Sequence, residues 1–203
     1  MQREILPPPG FPAEIPVAAN LVGLHAVMSG CTRCDLFLGR TQVVPGHGNP
    51  EAQLFFVGEA PGATEDQQGV PFVGASGRLL DSMLLGAGIR REDVFIGNIV
   101  RCRPPENRNP RTRQIAACAG WLAEQLRLVN PRLVVPLGRF ALHHFLPAGK
   151  ITQVQASLRE IPYHGGTIRI FPLVHPAAVL RNPRLRPLYQ DQFRSLAGLI
   201  SEG

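Results

Sequence analysis

Lysine is almost absent from this chain. Of its 21 basic residues, Lys150 alone is lysine and all the others are arginine. Any apolar run near the ~20 residues needed to cross a bilayer is also missing, so no membrane partner is expected. The first sixteen residues carry Pro7-Pro8-Pro9 but neither a basic start nor an apolar stretch, which speaks against a secretory signal and for a cytoplasmic protein. No internal repeat and no later linker interrupts the pattern. The expected organisation is a flexible Pro-rich segment over 1–20 followed by one domain over 21–203, acting as a monomer. With 44% hydrophobic residues in 203, the chain is neither disordered nor too short to bury a core without disulfides.

The charge is lopsided. The formal net charge is +6, and an arginine guanidinium binds phosphate through two hydrogen bonds, so a polyanionic partner fits. Genome composition or heat adaptation also raises arginine content, but neither explains the clustering. Arg101, Arg103, Arg108, Arg111 and Arg113 share one segment, and Arg181, Arg184 and Arg186 another. Both segments are rich in proline and asparagine and read as loops.

Four short apolar, β-branched or aromatic runs read as buried strands: Gln53–Val57, Val94–Ile99, Leu133–Leu137 and Ile168–Val174. Helical patterns separate them at Gly77–Leu85, Arg113–Val129 and Phe140–Leu146, and another closes the chain at Leu188–Ile200. Strands alternating with helices give an α/β fold: a single three-layer α/β/α domain around a central, mainly parallel four-stranded sheet. His164-Gly165-Gly166 reads as a hairpin turn between Ser157–Tyr163 and Thr167–Ile170. In such sheets ligands bind beyond the carboxyl ends of the strands. Those ends run into Gly58-Glu59, Asn98, Gly138 and His175, which puts the chemistry-bearing residues on one edge.

Four cysteines, with none left over, suggest one four-thiolate site rather than disulfides in a cytosolic chain. Cys31 and Cys34 form a C-x-x-C pair, while Cys102 and Cys118 stand apart. The pair does not precede a βαβ unit, so a thioredoxin-like redox role is disfavoured. Structural zinc and an iron–sulfur cluster both remain open. The wide split of the second pair departs from the two knuckles of a zinc ribbon and leans towards [4Fe–4S].

The remaining candidates read as a pyrimidine pocket. Glu59, between Gly58 and Gly62, suits water positioning or base catalysis, although a turn glutamate capping the next helix is as common. Ser76 reads as the cap of the helix that follows it, and Phe72 as a stacking platform or a core residue. Asn98 ends a hydrophobic strand, where an amide without a partner is costly. Its acceptor and donors match the N3–H and O4 edge of uracil. His175 opens a stretch to Pro183 that joins apolar and basic residues, as a DNA-invading loop does.

These residues together resemble the family 4 uracil-DNA glycosylases. The resemblance is carried by Gly58-Glu59-Ala60-Pro61-Gly62, Glu65-Asp66, Gly69-x-Pro71-Phe72-Val73-Gly74-x-Ser76-Gly77, Asn98-Ile99-Val100-Arg101-Cys102-Arg103-Pro104-Pro105-x-Asn107-Arg108 and His175-Pro176-Ala177, together with the cysteine pattern. It runs from about Cys31 to the C-terminus. The family 5 enzymes lack an acidic or amide residue in the first motif, so Glu59 separates the chain from them.

The resemblance implies excision of uracil from DNA, with Glu59 activating water, Phe72 stacking on the extruded base and Asn98 reading its polar edge. It implies His175 near O2, Glu65 beside C5 excluding thymine, and Asn107 near the sugar or the water, with Gly58 and Ser76 completing the pocket. Arg101, Arg103, Arg108, Arg181 and Arg184 are expected on DNA phosphates, with Val179 or Leu180 as a wedge. Cys31, Cys34, Cys102 and Cys118 are expected to hold a structural [4Fe–4S] cluster. An iron–sulfur redox or sensor protein, and a zinc-stapled DNA-binding module, are the competing readings of the cysteines.

Overall fold

The computed structural model of the protein describes residues 14–201. In chain order the elements are α1 (Leu21–Ser29), β1 (His47–Gly48), β2 (Leu54–Gly58), α2 (Ala63–Gln68), α3 (Ala75–Gly86), β3 (Phe95–Asn98) and α4 (Thr112–Val129). They continue with β4 (Leu133–Pro136), α5 (Gly138–Phe145), α6 (Ile151–Val154), β5 (Arg159–Tyr163), β6 (Gly166–Ile170), α7 (Pro176–Arg181) and α8 (Arg186–Ser201).

The sheet has six strands, in the order β1-β3-β2-β4-β6-β5, where four were expected. Strands stand at all four expected places and are mutually parallel, β2 pairing with β3 and β4, and β4 with β6, but the fourth, expected over Ile168–Val174, is Gly166–Ile170, with only an isolated bridge from Leu173 to Leu137 beyond it. The two additions are antiparallel edges. One is β5, the outer arm of the expected hairpin, whose turn holds His164 and Gly165 at φ of 46° and 81°. Left-handed residues at both turn positions match the right-handed twist of the arms. The other, β1, has two residues and so carries no alternation to read.

Period-two alternation along the buried strands sorts side chains to the two faces. Leu54 and Phe56 of β2, with Val135 of β4, pack with Leu80 of α3, Val179 of α7 and Phe193 of α8. Phe55 and Val57, with Val134, pack with Leu122 of α4 and Leu142 of α5 on the other face. A third cluster gathers Leu24 and Met28 of α1, Trp121 of α4 and the cysteines.

Two expectations about irregular segments need correction. Within the expected flexible 1–20 arm, residues 1–13 lie outside the described residues, but residues 14–20 are docked on α4. The Ala18 amide donates to Glu124 Oε1 at 2.7 Å, Arg127 Nη2 donates to the Ala18 carbonyl at 2.7 Å, and Ile15 packs on the third cluster. The arginine segment 181–186 is helical rather than a loop: it ends α7, passes through a 3-10 turn at Pro183–Leu185 and opens α8. Pro183, and Pro187 just beyond the segment, sit in first turns, where a missing N–H costs no helical bond.

Candidate active site

The carboxyl ends of β2, β3 and β4 and the segment after β6 open onto one cavity of about 860 Å³. Glu59, Glu65, Phe72, Ser76, Asn98, Asn107 and His175 all line it. These are residues that the sequence singles out, and the fold brings them together.

The inner end is built by close approach. A Cβ at position 58 would fall inside contact distance of Asn98 Oδ1 and 2.6 Å from the Phe72 ring, so only glycine leaves room for both side chains. Phe72 itself has φ of 54°, an uncommon conformation for a bulky residue. Two features hold it there. Gly77 presents no Cβ to the Phe72 carbonyl, and Glu65 Oε1 accepts from the amides of Val73 and Gly74 at 3.0 and 2.7 Å. Glu65 therefore does structural work as well as lining the cavity. Ser76 is not the cap of α3 that the sequence predicts; the cap position is Gly74, and Ser76 lies inside the first turn.

Asn98 is 1% exposed, and its Oδ1 has no hydrogen-bond partner. Satisfied native interiors leave few such groups. Asn98 lines the cavity, and a buried acceptor left there without a donor is suited to a ligand N–H.

His175 faces Phe72, with ring centroids 5.8 Å apart. Its Nδ1 accepts from the Ala177 amide at 3.1 Å, which in the neutral ring leaves the proton on Nε2. Burial, with help from the Arg181 charge, pushes its pKa down to about 4. The ring is therefore neutral near pH 7 and a one-proton donor at Nε2. Gly138, at φ of 83°, provides the room: a Cβ there would stand 2.9 Å from His175 Cβ. Burial pushes the Glu59 carboxyl above the ordinary glutamate range, against the pull of Arg139. Asn107, at φ of 54°, accepts at Oδ1 from Arg103 Nε at 2.8 Å.

The expected DNA-facing residues divide. Arg108 and Arg181 line the cavity, Arg103 lies beside it bonded to Asn107, and Arg184 is exposed on the 3-10 turn. Arg101 is not available to phosphate. It is 1% exposed and hydrogen-bonded through Nη2 to Gln125 Oε1 beneath the sheet. Val179 is no wedge either, because it points into the core at 2% exposure, whereas its neighbour Leu180 stands 45% exposed.

The four cysteines are unpaired and converge on the third hydrophobic cluster. Burial pushes the Cys102 thiol up to about 11 and the Cys118 thiol up to about 12, and neighbouring cysteines add to both. Arg40 Nη1 donates to Cys102 Sγ at 3.2 Å, and Trp121 Nε1 to Cys31 Sγ at 3.4 Å. Among the described residues no group of three or more His, Cys, Asp or Glu is arranged to hold a single metal ion.

Several residues of the site escaped sequence reasoning. Arg139 and Phe140 line the outer cavity, the guanidinium 4.6 Å from the ring centroid. Their positions one and two residues past Gly138, beyond a strand's carboxyl end, are the signal that points to them. Arg40, Trp121 and Gln114 support the cysteine region and carry no local motif.

The uracil DNA glycosylase superfamily model matches residues 45–197. The chain is 42% identical to a type-4 uracil-DNA glycosylase of Archaeoglobus fulgidus, over 88% of this chain and 92% of that protein. It is 45% identical to one of Thermotoga maritima, over 75% and 79%, and 42% identical to one of Sulfurisphaera tokodaii, over 83% and 80%. Among the described residues, no helix is long and apolar enough to cross a membrane.

Proposed function

The chain belongs to the family 4 uracil-DNA glycosylases of the uracil DNA glycosylase superfamily, and we propose that it hydrolyses the N-glycosidic bond of deoxyuridine in DNA, releasing uracil and leaving an abasic site. The observation that carries this reading is the orphaned, buried Oδ1 of Asn98, a residue that lines the cavity. It accepts from uracil N3–H while the same amide donates to O4.

The target nucleotide leaves the stack at a cost of a few kcal/mol, roughly, less at a U·G mismatch. Phe72 covers one face of the extruded base, and Gly58 admits it to the edge of Asn98. As the C1′–N1 bond breaks, the bonding pair leaves with uracil and charge gathers on O2. The Nε2–H of neutral His175 donates to that oxygen, with Nδ1 already engaged by Ala177. A neutral donor suits this step, because the site needs no proton uptake to form the bond. Glu59 orients a water towards C1′ and accepts its proton as the C–O bond forms, and Asn107 assists at the sugar side. Glu65, fixed by the amides of Val73 and Gly74, forms the wall beside C5 and excludes a thymine methyl. Ser76 completes that wall. Arg103, Arg108, Arg181 and Arg184 meet the phosphates, and Leu180 fills the gap left by the extruded base.

Cys31, Cys34, Cys102 and Cys118 suit a [4Fe–4S] cluster. The donor set is all sulfur, and Arg40 and Trp121 direct N–H groups at two of the sulfurs, the kind of outer support metal-bound thiolates receive. Such a cluster would cross-link three segments of chain, the Cys31–Cys34 pair, the stretch at Cys102 and α4 at Cys118. The reading also takes the protein as a cytoplasmic monomer on uracil-containing DNA. Uracil release from single-stranded and U·G oligonucleotides tests the activity, and a purified protein that binds such DNA but frees no uracil would refute it. Iron and sulfide analysis separates the cluster from zinc.

A further inference from the structure

α4 presents one inward stripe, Gln114, Cys118, Trp121 and Gln125, at the i, i+4, i+7, i+11 spacing of a single helix face. Gln114 and Trp121 are bonded into the segment that carries the C-x-x-C pair, and Gln125 into its flanks at His25 and Pro45. Gln114 occupies the end nearest the cavity and is wholly buried. Its Nε2 donates to Asp35 Oδ1 at 2.6 Å, and its Oε1 accepts from the Arg111 amide at 2.8 Å and from Arg108 Nη1 at 3.3 Å. Asp35 directly follows Cys34, and its other oxygen accepts from Arg113 Nη2 at 2.7 Å. Arg108 is also steadied by the Asn109 carbonyl at 2.8 Å and lines the cavity.

We propose that Asp35 and Gln114 are positioning residues that hold Arg108 at the mouth of the cavity, so that a DNA phosphate meets a guanidinium already in place and the cysteine segment is coupled to DNA affinity. The inference rests on the reading of the protein as a DNA glycosylase. Gln114 suits the role because its two ends are chemically opposite. The amide nitrogen is committed to the carboxylate, so the flip that would turn a donor towards Arg108 and Arg111 is excluded. Asp35 thereby sets the orientation of Gln114, and Gln114 sets that of Arg108. Arg111 and Arg113 are drawn to the carboxylate of Asp35, whereas among the described residues Arg108 has no carboxylate partner and keeps its charge for a ligand. Pre-organisation of this kind raises affinity by removing the cost of ordering a long side chain on binding.

The test compares wild type with Gln114→Leu, Arg108→Ala, their double variant and Asp35→Ala. Each is assayed for binding to uracil-free duplex over a range of salt, for KM and kcat of uracil release, and for metal content. Arg108→Ala is expected to flatten the log–log salt slope by about 0.9, one phosphate contact. Gln114→Leu and Asp35→Ala are expected to flatten it part or all of the way and to raise KM several-fold more than they lower kcat. The double variant is expected to lose no more than Arg108→Ala alone. Losses that add in the double variant, or a slope unchanged by Gln114→Leu and Asp35→Ala where Arg108→Ala does change it, would overturn the proposal. If Gln114→Leu fails to fold, Asp35→Ala, at a partly exposed position, decides alone. A wild-type protein that binds DNA without releasing uracil would count against the glycosylase reading and leave this test intact.

Discussion

Gly58 and Asn98 stand side by side at the paired carboxyl ends of β2 and β3, so close that a Cβ on residue 58 would collide with the Asn98 amide oxygen and with the Phe72 ring. A residue that carries no side chain thereby sets how closely Asn98 and Phe72 approach. Gly58→Ala is expected to leave the protein folded, because the obstruction faces the cavity and the strand's φ/ψ suits alanine. Asn98 or Phe72 must then move, and misplacement of about 1 Å costs on the order of 10²-fold in rate. Uracil release by folded Gly58→Ala within a few-fold of wild type would show that the site tolerates that movement.

The tautomer of His175 has consequences for pH. The ring's pKa lies near 4, so the Nε2–H donor is neutral across the working range. Glu59, raised by burial, protonates first as the solution is acidified. The acid limb of the rate profile is expected to follow Glu59 and to vanish in Glu59→Gln, over a much lower plateau. His175→Ala is expected to lose ~10²–10³ in rate, the usual cost of a missing donor to developing charge.

His175 also contributes to stability, with a definite sign. Between pH 6.5 and about 4 the unfolded chain takes up the histidine proton and the folded chain does not. Stability from this residue is therefore complete above 6.5 and falls as the pH drops towards 4. Thermal melts at pH 7.5 and 5 are expected to lie closer together in His175→Gln than in wild type. An equal separation would mean that the ring is accessible to protons in the folded state.

Leu180 is expected to act only where a duplex must be held open. Leu180→Ala should reduce uracil release from U·G duplex more than from single strands, whereas Val179→Ala, which opens the core under α7, should destabilise the fold by the ~1–3 kcal/mol typical of a core truncation and so lower the melting temperature. Equal losses on both DNA substrates would remove Leu180 from the wedge role.

The cysteine site makes a compositional prediction. Anaerobically purified protein is expected to hold about four iron and four sulfide per chain and to absorb broadly near ~400 nm. Cys102→Ala should lose iron and stability while its preference for uracil over cytosine persists. Stoichiometric zinc without iron would contradict the cluster.

Much of this was legible in the sequence for physical reasons. The buried strands β2, β3 and β4 are mostly apolar runs because both faces of the sheet are covered there, and the ends of β2 and β3 name Glu59 and Asn98. The misses also have causes. β1 is too short to show periodicity, and α2 is a polar turn of helix whose sequence, Ala63–Gln68, has no apolar stripe. Pro183 and Pro187 read as loop formers, yet each sits in a helical first turn. Arg101 reads as a surface cation because it stands in an arginine-rich, Pro-rich segment and arginines seldom bury completely, and nothing local announces that Gln125, 24 residues on, receives its Nη2. Val179 and Leu180 are both apolar, and only the orientation of α7 tells core from surface.

The most direct measurement concerns Asn98. Its unpaired acceptor matches uracil N3–H, whereas cytosine shows a bare N3 and an N4 amine, and each buried polar group left unpaired costs ~1–3 kcal/mol. Asn98→Asp removes the donor to O4 and sets a carboxylate against that oxygen. Uracil release from U·G duplex by this variant should fall about 10²-fold or more, with fold and metal content unchanged because Asn98 is no ligand, and with a trace of cytosine release. Uracil release at the wild-type rate from a folded, metal-replete Asn98→Asp protein would contradict the base-reading assignment, and with it the roles given to Phe72 and His175.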